Sequence, residues 1–285
     1  MKLSLQYRGH LSSCNYACSY CPFAKRTETP TQQKRDRDSL ARFRDWLAGQ
    51  TAHRWKLLFT PWGEALSRAW YRRTLAEMTH WPHLDTVAAQ TNLSCGLAWI
   101  ERCSPERLAL WATYHPSQTP REKFLTKVMH LHSCGIQMSV GMVGVPEDLD
   151  EMRRVRAELP AEVYLWINPL MPRPRPYSAE EIAAFEGIDP LFSLTFRRQP
   201  SLGKACTSGE TSFTVDGSGQ MRRCHFVEQP IGNIYDADWL LALQPRTCPR
   251  RYCDCFLGKA QLQAEALAPH FGGSLLERIP ASLPS

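Results

Sequence analysis

Short apolar runs alternate with stretches of helical periodicity through the first two thirds of the chain. Leu3 to Tyr7 reads as a strand, and so do Lys56 to Phe59, Thr86 to Gln90, Leu108 to Tyr114, Gln137 to Val143 and Val163 to Ile167. Asp38 to Gly49 reads as a helix, because Leu40, Phe43, Trp46 and Leu47 share one face and Gly49 is a natural stop. Further helices are predicted over Ser67 to His80, Arg121 to Ser133 (ending near Gly135), Asp148 to Leu159 and Ser178 to Phe185. The last opens with Ser178 and Glu181 in capping-box spacing. Repeated strand–helix units predict a parallel sheet with right-handed crossovers. Six of them predict an α/β chain built as a partial, TIM-like (β/α)6 barrel, with its working groups at the C-terminal ends of the strands. From about Pro200 the pattern changes to short strands, turn residues and five cysteines. Phe213 to Val215 and Gln220 to Arg223 read as a hairpin around Asp216-Gly217-Ser218-Gly219. The expected division is a barrel over 1–199, a small Cys-rich α+β unit over 200–260 and a helix and tail over 261–285, with a loop at Pro172 to Pro176.

The 285 residues suffice for one barrel plus a small appendage. No apolar run approaches the roughly 20 residues that cross a bilayer. The first residues carry no signal-peptide pattern, so a cytoplasmic chain with reduced thiols is expected. Eleven cysteines then point to metal or redox chemistry rather than disulfides. The net charge of +6 comes from short basic clusters, including Lys34, Arg35 and Arg37; Arg153, Arg154 and Arg156; Arg173 and Arg175; Arg222 and Arg223; Arg250 and Arg251. Solvated faces are one reading of these, and an anionic substrate or partner is the other. Nucleic acid would require aromatics interleaved with the basic residues on one face, and a nucleic-acid partner is a third, less favoured reading.

The chemistry concentrates at Cys14-Asn-Tyr-Ala-Cys18-Ser-Tyr20-Cys21. A structural zinc site needs four ligands, so zinc here would take a distant fourth. A cubane 4Fe–4S cluster on three cysteines keeps one iron open for a ligand. The loop resembles that of the radical S-adenosylmethionine superfamily. The resemblance implies that Cys14, Cys18 and Cys21 hold a 4Fe–4S cluster that binds S-adenosylmethionine and cleaves it to a 5′-deoxyadenosyl radical. Trp62-Gly63-Glu64-Ala65 resembles the family's Gly-Gly-Glu-Pro segment, with Trp62 and Ala65 departing from it; Gly63 and Glu64 would hold the methionine amino group. Asn92 stands in a Thr-Asn-Gly-like turn in which Leu93 replaces glycine. Ser139, Gly144 (in Gly141-Met-Val-Gly144-Val-Pro-Glu147) and Asn168 match places where the family contacts ribose and adenine, and Tyr20 would pack near adenine. His115, at the end of the fourth strand, is either an acid–base group or a bonded loop histidine. Cys95, Cys103 and Cys134 lack ligand spacing and read as packing residues.

Cys206, Gly219 and Cys224, followed by Cys248, Cys253 and Cys255, resemble the opening of SPASM and Twitch domains. With five cysteines rather than seven, one auxiliary 4Fe–4S cluster is implied. Its ligands are expected from Cys206, Cys224, Cys253 and Cys255, with Cys248 as substitute; a zinc ribbon is the alternative. The chain is thus expected to be an enzyme acting on a small-molecule or peptide substrate, fed electrons by a reductant such as flavodoxin or ferredoxin. A non-catalytic iron–sulfur or zinc protein, serving as electron carrier or regulatory module, is the other reading.

Overall fold

The computed structural model describes residues 1–21, 26–173, 175–262, 268–272 and 275–281. Pro174 of the expected loop, and 263–267, 273–274 and 282–285 of the expected helix and tail, lie outside the described residues. Six parallel strands form the frame: β1 (Lys2–Gly9), β2 (Arg54–Phe59), β3 (Leu84–Thr91), β4 (Leu108–Thr113), β5 (Gln137–Gly144) and β6 (Leu165–Pro169), paired in sequence order. Helices α1 (Pro30–Ala48), α2 (Ala69–Met78), α3 (Arg121–Ser133), α4 (Leu149–Glu158), α5 (Ala179–Glu186) and the short α6 (Phe192–Phe196) accompany them. The second part carries two-residue strands β7 (Gln199–Pro200) and β8 (Ala205–Cys206), then β9 (Ser212–Asp216), β10 (Gln220–Arg222), β11 (Pro230–Asn233), β12 (Arg246–Thr247), β13 (Tyr252–Cys253) and helix α7 (Phe256–Gln261). The partial barrel expected from the strand–helix repeat is therefore present.

The sheet does not stop at β1. Strand β9 lies parallel to β1, with Leu5 opposite Phe213, and β10 and β11 follow antiparallel, giving nine strands in the order β11-β10-β9-β1-β2-β3-β4-β5-β6. The expected hairpin is thus an extension of the barrel sheet. Among the described residues no helix is long and apolar enough to cross a membrane.

Helix α3 spans the predicted residues. Helix α1 starts at Pro30, ahead of the expected Asp38, because Thr29 caps it in a box with Gln32 and Pro occupies the first turn. Its first turns are polar, so periodicity alone does not reveal them. A 3₁₀ turn, Ala65–Ser67, replaces the start of the expected second helix, with the Glu64 side chain as its cap. Between β3 and β4 the described crossover holds only the 3₁₀ turn Ile100–Arg102, so the third unit lacks its helix.

One face of β1 packs outward on the helices, where Tyr7 stacks on Phe43 with centroids 4.4 Å apart. The alternate residues Ser4, Gln6 and Arg8 face the barrel interior, and Thr214 Oγ1 on β9 lies 3.2 Å from Gln6 Oε1. Inside, Trp111, Trp166, Phe256 and Phe271 make a second core. The segment Leu275–Arg278 enters this space. Leu276 packs on Leu58, Ala88 and Ala109, Ser139 Oγ donates to the Glu277 carbonyl at 2.9 Å, and Trp166 Nε1 donates to the Arg278 carbonyl at 2.6 Å. Many members of the basic clusters meet acidic neighbours at the surface: Lys34 with Asp38, Arg153 with Asp150, Arg175 with Glu181 and Arg222 with Asp216. Exposed pairs of this kind contribute about 0–1 kcal/mol each.

Candidate active site

Three backbone hydrogen bonds align the segment after β2 with the end of β1 and the loop that follows it: Thr60 N–H to Tyr7 O at 3.0 Å, Trp62 N–H to Leu11 O at 3.2 Å and Glu64 N–H to Ser13 O at 3.0 Å. A Cβ on Gly63 would lie 1.8 Å from the Ser13 carbonyl oxygen, so only glycine permits this approach. Glu64 is buried and its carboxylate is satisfied by the protein itself. Oε1 accepts from Leu66 N–H at 3.0 Å and Thr91 Oγ1 at 2.8 Å, and Oε2 accepts from Asn92 N–H at 2.6 Å. Burial still pushes its carboxyl up to about 7. Glu64 therefore joins the ends of β2 and β3 beneath the cysteine loop. On the other side Glu28, which the sequence reading did not single out, accepts from Ser12 N–H at 2.7 Å and Ser13 Oγ at 2.8 Å, and pairs with Arg68 at 3.1 Å.

The Cys14 sulfur accepts from Tyr16 N–H at 3.4 Å and from Asn92 Nδ2 at 3.7 Å. Cys18 is buried, Cys14 and Cys21 half-buried, and Cys21 N–H donates to Cys18 O at 3.2 Å. Burial raises the Cys14 and Cys18 thiols. The Tyr20 hydroxyl lies 2.8 Å from His115 Nδ1, with the rings stacked at 5.9 Å, while Tyr16 meets His115 edge-on at 6.0 Å. Burial lowers the imidazole to about 4, so His115 is neutral near pH 7. It holds the cysteine loop through two tyrosines.

The other expected cofactor contacts divide. Trp62 and Asn92 lie at the loop. Ser139 is fully buried and bound to the Glu277 carbonyl. The Gly144 carbonyl accepts from the Tyr177 hydroxyl at 2.6 Å, and that hydroxyl also accepts from Leu170 N–H at 2.8 Å. Asn168 Oδ1 accepts from Arg278 Nη1. Tyr177, Glu277 and Arg278 carry no motif, and nothing in the sequence pattern marks them.

The five later cysteines line one cavity, together with Arg223, Arg250 and Gly258. Cys255 caps α7: its sulfur accepts from Gly258 N–H at 3.1 Å. A Cβ on Gly258 would stand 2.6 Å from Cys253 Sγ and 3.1 Å from Cys255 Sγ, so the glycine leaves room for both sulfurs. Their shared hydrogen bond lowers the Cys255 thiol and raises that of Cys253. Among the described residues no three His, Cys, Asp or Glu side chains converge on a single metal-ion position. A polynuclear cluster takes one thiolate per iron and is not built around one such point. Soft sulfur donors, a backbone N–H on sulfur and adjacent cations fit an iron–sulfur group.

Arg8, near the end of β1, interacts with Cys255 of the second thiol set and lies against the segment after β2. Its guanidinium lies 4.1 Å over Trp62, whose ring meets His225 (next to Cys224) edge-on at 6.4 Å. Arg8 is 9% exposed, its Nε is buried without a partner, and its polar contact is Thr60 Oγ1 at 3.5 Å. Among the described residues no carboxylate pairs with it. Burial lowers it to about 10, so it stays charged at neutral pH.

No protein family and no curated protein matches the sequence. Solved structures do. Native anSMEcpe with bound AdoMet is similar over 84% of this chain and 80% of its own, at 13% identity and a TM-score of 0.57. The same protein with AdoMet and the Kp18Cys peptide is similar over 85% and 80%, at 13% identity and 0.56; with the Cp18Cys peptide the values are 85%, 80%, 14% and 0.55. At such identity the likeness establishes the fold alone: this chain shares the partial-barrel fold of anSMEcpe and extends its sheet with a cysteine-rich second part.

Proposed function

We propose that the chain is a radical S-adenosylmethionine enzyme with an auxiliary iron–sulfur site, acting on an anionic peptide or small molecule. Cys14, Cys18 and Cys21 would hold the catalytic cluster. Four of Cys206, Cys224, Cys248, Cys253 and Cys255 would hold the auxiliary one. Bound there, the catalytic cluster and S-adenosylmethionine supply an electron and a radical able to take hydrogen from an unactivated C–H bond. The chain's own residues orient and enclose. Gly63 lets the segment after β2 press against the cysteine loop. Glu64 ties β2 to β3, and His115 braces the loop from β4. Trp62 covers Arg8 and reaches toward His225.

The observation that carries this reading is the buried guanidinium of Arg8, which no carboxylate among the described residues neutralises, lying under Trp62 and close to Cys255. A buried charge without a counter-ion is costly, and an anionic substrate group would reduce that cost. The peptides bound in anSMEcpe support a peptide as one such substrate.

Anaerobic reconstitution tests it. About eight irons per chain are expected, with 5′-deoxyadenosine formed on adding dithionite and S-adenosylmethionine. A variant with Cys14, Cys18 and Cys21 all changed to Ala should form none. Bound zinc without cleavage would leave a metal-stabilised binding protein instead.

A further inference from the structure

Arg278 is fully buried inside the barrel, far along the chain from the motifs of the first 170 residues. Its guanidinium lies 4.0 Å from the Trp166 ring centre, 4.4 Å from Phe256 and 4.6 Å from Trp111. Its carbonyl accepts from Trp166 Nε1 at 2.6 Å, and the preceding carbonyl, of Glu277, accepts from Ser139 Oγ at 2.9 Å. The residue holds φ +55°, a conformation that side chains other than glycine rarely adopt. Strain of this kind persists where surrounding contacts over-determine it. Arg278 Nη1 donates to Asn168 Oδ1, and Nε is buried without a partner.

A guanidinium donates and never accepts. The Asn168 amide must therefore turn its oxygen toward Arg278 and its nitrogen away. Asn168 Nδ2 has no hydrogen-bond partner among the described residues, and it faces the bare backbone of Gly141, where a Cβ would stand 2.9 Å from it. A donor is thus held facing the glycine-bearing end of β5, with its direction fixed from behind.

We propose that Arg278, brought into the barrel by the segment Leu275–Arg278, is a positioning residue of the S-adenosylmethionine site: it fixes the Asn168 amide so that Nδ2 donates to the bound cofactor. The inference rests on the function proposed above. It makes the segment Leu275–Arg278 part of the binding site, although the motifs of that site all lie in the first 170 residues.

Dissociation constants for S-adenosylmethionine, measured by equilibrium dialysis on the reconstituted full chain, provide the test. Arg278→Gln and Asn168→Ala should each weaken binding about tenfold, the worth of one buried hydrogen bond. The double variant should bind no more weakly than either single one, because the two residues act as a unit. Arg278→Lys keeps the charge but not the fork, and should fall between wild type and Gln. In the wild type, S-adenosylmethionine should slow amide exchange over 275–281. If Arg278→Gln lowers the melting temperature but leaves the dissociation constant unchanged, the residue serves packing alone and the inference is overturned. If Arg278→Gln does not fold, a wild-type dissociation constant in Arg278→Lys, or amide exchange over 275–281 that ignores the cofactor, overturns it equally. Failure of the wild type to bind S-adenosylmethionine would instead sink the proposed function, and this inference with it.

Discussion

Gly63 shows how a motif acts through what it lacks. Its neighbour Trp62 departs from the family pattern, yet the close approach to Ser13 depends on residue 63 alone. Gly63→Ala should push the cysteine loop off its ladder with the segment after β2, at a cost of about 3 kcal/mol. Thermal melting of the apo-protein and iron uptake should both fall; a variant that melts and loads iron like wild type would refute the steric account. Asp189 gives a second test. Its carboxyl takes hydrogen bonds from the Tyr164 hydroxyl and from the Ile167 and Leu191 N–H groups, and burial pushes it from 3.8 up to about 6. The folded chain thus binds that proton more tightly than the unfolded one. Its contribution is full below pH 3.8 and is lost as pH rises through about 6. The loss amounts to about 3 kcal/mol. Urea unfolding at about pH 4 and about pH 7 should show a smaller fall in stability for Asp189→Asn than for wild type. Equal falls would mean that Asp189 does not set the slope. Residues with motif spacing, such as Cys14, Gly63 and Glu64, stand out in the sequence because each motif is carried by one short local segment. Arg8, Glu28 and Arg278 do not, because their meaning lies in partners 15 to 112 residues away or in the lack of one.

At the scale of elements, periodicity located every barrel strand and the boundaries of α3. It failed where capping rather than amphipathicity decides, as at Thr29 and Glu64. It also extended the repeat across the third unit, where a 3₁₀ turn stands in for a helix. Tyr177 does for β5 and β6 what Glu64 does for β2 and β3. One hydroxyl donates to Gly144 O and accepts from Leu170 N–H, joining the ends of neighbouring strands at the face where a ligand would sit. Tyr177→Phe should cost about 1–3 kcal/mol through two unmatched backbone groups. The Leu170 amide should then exchange faster with solvent, as hydrogen exchange read by mass spectrometry over residues 165–173 would report. Unchanged protection there would show that water replaces the hydroxyl without loss.

For the whole molecule, the change of pattern near Pro200 marks a change in chemistry more than a break in structure. Strand β9 continues the barrel sheet beside β1, and Leu276 closes on Leu58, Ala88 and Ala109. Neither relation could be read from local pattern, since period-two alternation does not say which strand lies next to which. A fragment of residues 1–199 lacks both contacts and should not melt cooperatively; a sharp transition at the wild-type temperature would show that the barrel stands alone. The pairing of β1 with β9 also sets a timetable. Gln6 and Thr214 are 208 residues apart in sequence yet neighbours in the sheet. During synthesis β1 can meet β2 early, but its other edge waits until nearly three quarters of the chain has been made. Contacts of such separation close slowly, and an open strand edge invites pairing with other chains. Refolding yield should therefore depend on protein concentration, and in the cell the nascent barrel is a natural client for anything that shields a strand edge.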